Sequence, residues 1–285
     1  MSKSLNVYED HVMHRNEDRH FRFDVSSLYL CIGVADGHGG FAAADVCKNN
    51  ISRLLKTQLE CGNTVDESIE ATFHKLHELC LSLPCNSGCT LTVVIIHKHT
   101  MDYICVNVGD SFGLHITPTT HMWITTSHRL QDNVSEREKL KKHISFIKNE
   151  AQVAIGPPRL FPGGLACSRS IGDADCPFVS CVPSVYHGQL AEDDILFIAS
   201  DGVWDCVTCN RVVKILRDTC NPENIKRHIQ KNVVRDDASL IVVSTQKSKQ
   251  TMFNKMFYRN NYSSSNSSLS DEDIVHPTIV KVPLA

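Results

Sequence analysis

Aspartates stand at the ends of apolar runs four times in this chain. Leu28–Ala35 leads into Asp36-Gly37-His38-Gly39-Gly40, Tyr103–Gly109 into Asp110-Ser111, and Ile195–Ser200 into Asp201-Gly202, while Asp236-Asp237 precedes Ser239–Ser244. Short β-branched and aliphatic runs bounded by Gly and Asp read as buried strands, and a strand end holds a carboxylate more rigidly than a loop does. Gathered carboxylates repel one another. Hard divalent cations relieve the repulsion, because Mg2+ and Mn2+ take oxygen ligands, retain several waters and neutralise the charge. The chemistry expected of such a set is hydrolysis assisted by two metal ions.

The elements that must position these residues can be read from periodicity. Residues 5–35 are expected to form two strands flanking a polar turn. Ala44, Cys47, Ile51, Leu54 and Leu55 recur at helical spacing and predict a helix over Phe41–Glu60, followed by a second from Val65 to Leu81. Pro84-Cys85-Asn86-Ser87-Gly88 ends that helix, and two strands follow, Cys89–His97 and Met101–Val108, joined by a Lys98-His99-Thr100 turn. Residues 128–164 mix charge, Gly and Pro around a short helical stretch near Ser135–Lys142 and are expected to be a surface insertion. Strands return at Ile195–Ser200 and Leu240–Ser244, with helices expected near Asn210–Arg217 and Pro222–Lys231. One domain is expected over residues 1–246. Residues 247–285, with Ser263–Ser268 and Leu269-Ser270-Asp271-Glu272-Asp273, have the composition of a flexible, Ser-rich and acidic tail.

Composition narrows the function classes. The chain has 285 residues, 42% of them hydrophobic, which is ample for a sizeable core, and a formal net charge of −3. That balance offers no basic field to nucleic acid, and no segment is long and apolar enough to span a bilayer. Met1-Ser2-Lys3-Ser4 lacks the apolar core of a signal peptide, and Ser2 stands where myristoylation needs glycine. The thirteen cysteines are irregularly spaced and mostly lie inside apolar runs, as at Cys31, Cys105 and Cys167, which suits reduced thiols in a cytosolic or nuclear protein. Cys206-x-x-Cys209 has a redox or zinc-like spacing but no second pair, so a structural role is expected for it. A soluble monomer is expected.

Seven motifs fall in a specific order: Asn16-Glu17-Asp18, Val34–Gly40, Ser87-Gly88-Cys89-Thr90, Asn107–Ser111, Leu165–Asp173, Ser200–Asp205 and Arg235-Asp236-Asp237. Over roughly residues 10–245 this order resembles the type-2C, metal-dependent serine/threonine protein phosphatases. The resemblance implies an α+β fold, a four-layer α-β-β-α sandwich of two antiparallel sheets flanked by helices. It implies two Mg2+ or Mn2+ ions bridged by Asp36, with Glu17 and the Gly37 carbonyl on one side, Asp201 and Asp236 on the other, and Asp18 in the outer shell. Asp110 and Asp205, with Asp201, match positions that hold a weaker third ion, although Asp205 could instead start a helix as an N-cap. His38 would protonate the departing serine or threonine oxygen of a phosphoprotein, a task suited to a side chain that titrates near neutrality. Thr90 and Asp173 also match motif positions, but are expected to be strand and turn structure.

The pattern also departs from the family. Met13 stands where an arginine usually grips the substrate phosphate, and methionine cannot donate the two parallel hydrogen bonds of a guanidinium. Met13, Arg15 and Glu17 would share one face of an extended strand, which makes Arg15 the candidate replacement, about 7 Å further along. His14 and Arg19 are weaker candidates. Ser127 replaces a common aspartate before His128, and Phe112 replaces a frequent arginine. The expected function is metal-dependent hydrolysis of phosphoserine and phosphothreonine in proteins. The alternative is a pseudophosphatase that binds metal and partner proteins with little turnover because of Met13.

Overall fold

In the central strands, alternate residues bury in opposite directions. A computed structural model describes residues 5–148, 152–231 and 236–245. After β1 (Asn6–Val12) and β2 (Arg19–Asp24) comes β3 (Tyr29–His38), whose Leu30, Ile32 and Val34 pack into one buried cluster while Cys31 and Ala35 pack into another. Two helices follow, α1 (Ala42–Glu60) and α2 (Val65–Leu81), the second opened by a Thr64/Glu67 capping box. Then come β4 (Gly88–His97), β5 (Asp102–Val108), β6 (Phe112–Ile116) and β7 (His121–Trp123). A helix α3 (Val134–Leu140) and a hairpin of β8 (Ile144–Lys148) and β9 (Ala154–Leu160) lead to β10 (Ile171–Gly172), β11 (Ser184–Gln189) and β12 (Ile195–Ala199). Short α4 (Asp201–Trp204), α5 (Cys209–Thr219), α6 (Glu223–Lys231) and β13 (Ala238–Ser244) complete the order.

Of the described strands, β8 and β9 pair only with each other, while the other eleven form two antiparallel sheets, one ordered β1-β13-β12-β6-β7 and the other β11-β5-β4-β3-β2 with β10 paired to β4. Between them lie Leu30, Ile32, Val34, Ile96 and Tyr103 from one sheet and Leu196, Ile198, Ile241 and Val243 from the other. The outer face of the second sheet is covered by α1 and α2 through Ala44, Ile51, Phe73 and Leu76. Val212, Leu216, Ile225 and Ile229 of α5 and α6 cover that of the first. Both faces of each central strand are therefore apolar, which is why these strands read as continuous apolar runs rather than as alternation. The result is the expected four-layer sandwich.

Two expectations and one alternative change. Residues 5–35 hold three strands rather than two, because the polar stretch 13–18 separates β1 from β2 and these join different sheets. The 128–164 segment is not wholly superficial: His128, Leu130, Glu136 and Leu160 are buried where it returns to the body. Asp205 closes α4 as its C-cap instead of opening a helix. The expected Ser-rich, acidic tail lies outside the described residues. Among the described residues no helix is long and apolar enough to cross a membrane.

Candidate active site at the seam between the sheets

The chemistry-bearing residues collect at strand ends of both sheets and in the segments that cross from one sheet to the other. Asp36 lies near the end of β3, opposite Thr90 of β4. Asp110 sits in the tight turn that carries β5 of one sheet into β6 of the other. Asp201 is the first residue of α4, directly beyond β12, and Asp236 and Asp237 precede the neighbouring β13. Glu17 and Asp18 occupy the crossing between β1 and β2.

That crossing is shaped by Asp237. Its Oδ1 accepts the backbone N–H groups of His14, Arg15 (3.0 Å) and Asn16 (3.1 Å), and its Oδ2 accepts those of Glu17 (2.6 Å) and Asp18 (3.4 Å). Burial alone would raise the Asp237 pKa, but these donors outweigh it and hold the carboxyl below its ordinary value. Asp236 Oδ1 accepts the Asp237 N–H at 2.9 Å. Wrapped around one carboxylate, with Asn16 at φ 62°, the segment is a coil. The strand alternation that would place Arg15 on the face of Glu17 is therefore absent. Met13 is 65% exposed, and Arg15 and His14 are exposed beside it. Arg19 is committed to structure: it bonds Asp45 (2.5 Å) and the Asn16 and Asp18 carbonyls (2.9 and 2.7 Å).

The glycines here keep the backbones close. A Cβ on Gly37 would lie 2.5 Å from the Glu17 carbonyl oxygen, so the β3 end and the 13–18 coil touch main chain to main chain. A Cβ on Gly202 would meet the Asp237 carbonyl oxygen at 2.0 Å. Glu17 Oε1 accepts the Gly40 N–H at 2.7 Å, and the Ser200 hydroxyl donates to Asp18 Oδ2 at 2.8 Å while accepting the Ser239 N–H at 2.9 Å.

Electrostatics at the centre are those of crowded acids. Burial, then the charges of Asp201, Asp18 and Asp110, hold the Asp36 pKa well above the carboxylate range, and its carboxyl hydrogen-bonds both Asp201 and Asp18. Burial and the neighbouring Asp110 push Asp201 up to about 7 against the relief from Arg129. Burial likewise pushes Asp18 to about 6, partly offset by the Ser200 hydroxyl. Arg129 counters the cluster directly. Its Nε meets Asp110 Oδ2 at 2.5 Å, Nη2 meets Asp201 Oδ2 at 2.7 Å, and Nη1 approaches Asp205 Oδ1 at 3.9 Å.

As these side chains stand, no three His, Cys, Asp or Glu among the described residues are grouped to hold a metal ion. Their oxygens are occupied by one another, by Arg129 and by backbone and hydroxyl donors. The set nonetheless fits hard cations: its members are carboxylates, and they are crowded enough that protons must be shared where positive charge is lacking.

Beside the acids, His38 Nε2 pairs with Asp173 Oδ1 at 2.6 Å. Asp173 is buried and also accepts from the Ser170 hydroxyl. Burial disfavours the charged ring, but the Asp173 hydrogen bond and charge, with Asp110 and Glu17 further off, outweigh it and raise the His38 pKa. The ring is 38% exposed and can meet a ligand. Asp173, expected to be only a turn residue, is thus the partner of the candidate acid. Arg129 and Asp237 were likewise not singled out by sequence. Asp237 could have been found as the second carboxylate of Asp236-Asp237, whereas nothing in the spacing marks Arg129.

The chain is similar to known proteins in sequence and in fold. The family model for protein phosphatase 2C matches residues 10–239. Probable protein phosphatase 2C 15 of Arabidopsis thaliana is 31% identical over 246 residues, which is 80% of this chain and 56% of that protein. Protein phosphatase 2C homolog 2 of Saccharomyces cerevisiae is 27% identical over 228 residues, or 74% of this chain and 45% of its own length. The chain thus spans about half the length of these relatives. Among solved structures, a C. elegans sex determining protein superposes with a TM-score of 0.75 at 17% identity, covering 88% of this chain and 67% of that one. A serine-threonine phosphatase 2C from Toxoplasma gondii gives 0.68 at 17% identity, covering 84% and 94%. With its sandwich, its seam of carboxylates and a family match over most of its length, the chain belongs to the protein phosphatase 2C family.

Proposed function

We propose that this chain hydrolyses phosphoserine and phosphothreonine in proteins with two Mg2+ or Mn2+ ions. The observation that carries the proposal is the contact of the Asp36, Asp18 and Asp201 carboxyls at the seam, a few residues from the His38–Asp173 pair. Glu17, Asp36, the Gly37 carbonyl, Asp201 and Asp236 would hold the ions, which supply an activated water and charge neutralisation when bound. Asp237 fixes the coil that carries Glu17. The Nε2 proton of protonated His38 is committed to Asp173. The proton for the departing serine or threonine oxygen therefore comes from Nδ1. The thirteen free cysteines, most of them buried, support a reducing compartment, cytosol or nucleus.

The exposed Met13 favours a second reading, a pseudophosphatase that binds metal and partners with little turnover. Phosphate release from para-nitrophenyl phosphate and a phosphothreonine peptide, in Mn2+, in Mg2+ and in EDTA with Asp201→Asn as blank, separates the two. Cation-dependent turnover missing from the blank is expected. Turnover that survives EDTA or Asp201→Asn overturns the metal mechanism, and activity that appears only in Met13→Arg establishes the pseudophosphatase.

A further inference from the structure

Arg129 is anchored on both sides of its backbone. His128 is buried, with Nδ1 accepting the Gly109 N–H at 3.0 Å, Leu130 is buried, with its N–H on the Ala166 carbonyl at 2.9 Å, and Arg129 itself bridges to Cys167. The guanidinium is therefore delivered to one place. There its three nitrogens face three carboxylates from different parts of the fold: Asp110 in the β5–β6 turn, Asp201 at the start of α4, and Asp205 at its C-cap. Asp201 also hydrogen-bonds Asp36, so it is shared between this corner and the centre of the site. A divalent ion in the corner would need the same oxygens, and Asp110 Oδ2 and Asp201 Oδ2 are both committed to the guanidinium. Arginine does not give up its charge by losing a proton. An ion could enter only by expelling a cation whose anchored backbone leaves it beside the site.

We propose that Arg129 is a resident cation of the Asp110–Asp201–Asp205 corner and keeps a third divalent ion out, so that the positive charge there is covalent and always present. The proposal rests on the reading that two ions bind at Asp36. It is an alternative to the expectation that Asp110 and Asp205 hold a third metal. It also assigns a role to Arg129, whose contacts with three carboxylates the missing arginine at position 13 does not explain.

The test is a count of ions rather than of turnover. Equilibrium dialysis against MnCl2, with bound Mn2+ measured by atomic emission, is run on the full chain, on Arg129→Gln and on Arg129→Gln/Asp205→Asn. The expected result is one Mn2+ more per chain in Arg129→Gln than in the parent, lost again in the double variant. A parent chain that already takes three ions, or an Arg129→Gln chain that takes the same number as its parent, overturns the proposal. Arg129→Met, neutral and similar in length, replaces Arg129→Gln should that variant not fold. A gain of one ion without any phosphate release would uphold the proposal while the activity failed. Release in an unchanged parent with no gain on substitution would do the reverse.

Discussion

The His38 ring is held in position by one buried carboxylate. Without Asp173 it could rotate away from a leaving group, so Asp173→Asn should lower kcat about tenfold with little change in KM. His38→Gln, which removes the acid itself, should cost about a hundredfold. Steady-state kinetics on a phosphothreonine peptide checks both, and a raised KM with unchanged kcat would assign Asp173 to binding. Gly37 makes a prediction of a different kind, since the atom its Cβ would strike is backbone oxygen and cannot swing aside. Gly37→Ala should cost about 1–3 kcal/mol of stability and weaken Mn2+ binding by at least tenfold, read by thermal melts and titration calorimetry. His38 could be singled out in the sequence because it follows Asp36-Gly37. Its partner is 135 residues away, and an aspartate after Ile171-Gly172 looks like any turn. Arg129 was hidden more completely, because three carboxylates converge on it from elements that only the fold brings together.

Two elements owe their shape to single buried carboxylates. The 13–18 coil gives five backbone N–H groups to Asp237. Asp237→Ala should therefore cost about 3 kcal/mol and displace Glu17, seen as a lower melting temperature together with weaker Mn2+ binding. An unchanged melt would mean that the coil holds its own form. Helix α3 is joined to the body through Glu136, which accepts from Arg169 (2.8 and 3.1 Å) and Ser168 (2.7 Å). The Arg169 hydrogen bond, against the cost of burial, holds the Glu136 pKa well below its usual value. A depressed folded pKa gives stability that is complete above the unfolded value, about 4.3, and is lost as pH falls toward the folded one. The stability gap between the parent and Glu136→Gln, about 2 kcal/mol near neutrality and read by thermal melts, should accordingly shrink below about pH 4. The expected helices and central strands stand within a few residues of their sequence limits, since their apolar periods are long. β6, β7 and β11 were not expected: Phe112–Ile116 is interrupted by Gly113 and His115, and β11 is a half-exposed edge. The strand expected over 13–17 fails because a carboxylate more than two hundred positions away coils it.

The described residues are built around two large sheets with acidic groups at their joint, so a cation bound there would tie the halves together. Mn2+ at a hundred times its Kd should add about 2.7 kcal/mol of stability, a rise in melting temperature of roughly 5–11 °C for a chain this size. EDTA should reverse it and Asp36→Asn abolish it. A melt indifferent to Mn2+ would separate the acids from metal binding. The thiols provide an independent check of the fold: Cys61 and Cys85 are exposed, so a thiol reagent should label two cysteines quickly in the native chain and all thirteen after unfolding without reductant. The register of β1, which pairs Asn6 with Ser244 and Val12 with Ala238, also has a consequence in time. During synthesis the first strand emerges without a partner and waits until nearly the last residue of the domain has been added. Asp237, which shapes the coil behind that strand, arrives just ahead of β13. The coil that carries Glu17 and the sheet beside it therefore close in one late step, and a ribosome stalled before residue 237 carries Asp36, Asp110 and Asp201 but no assembled site.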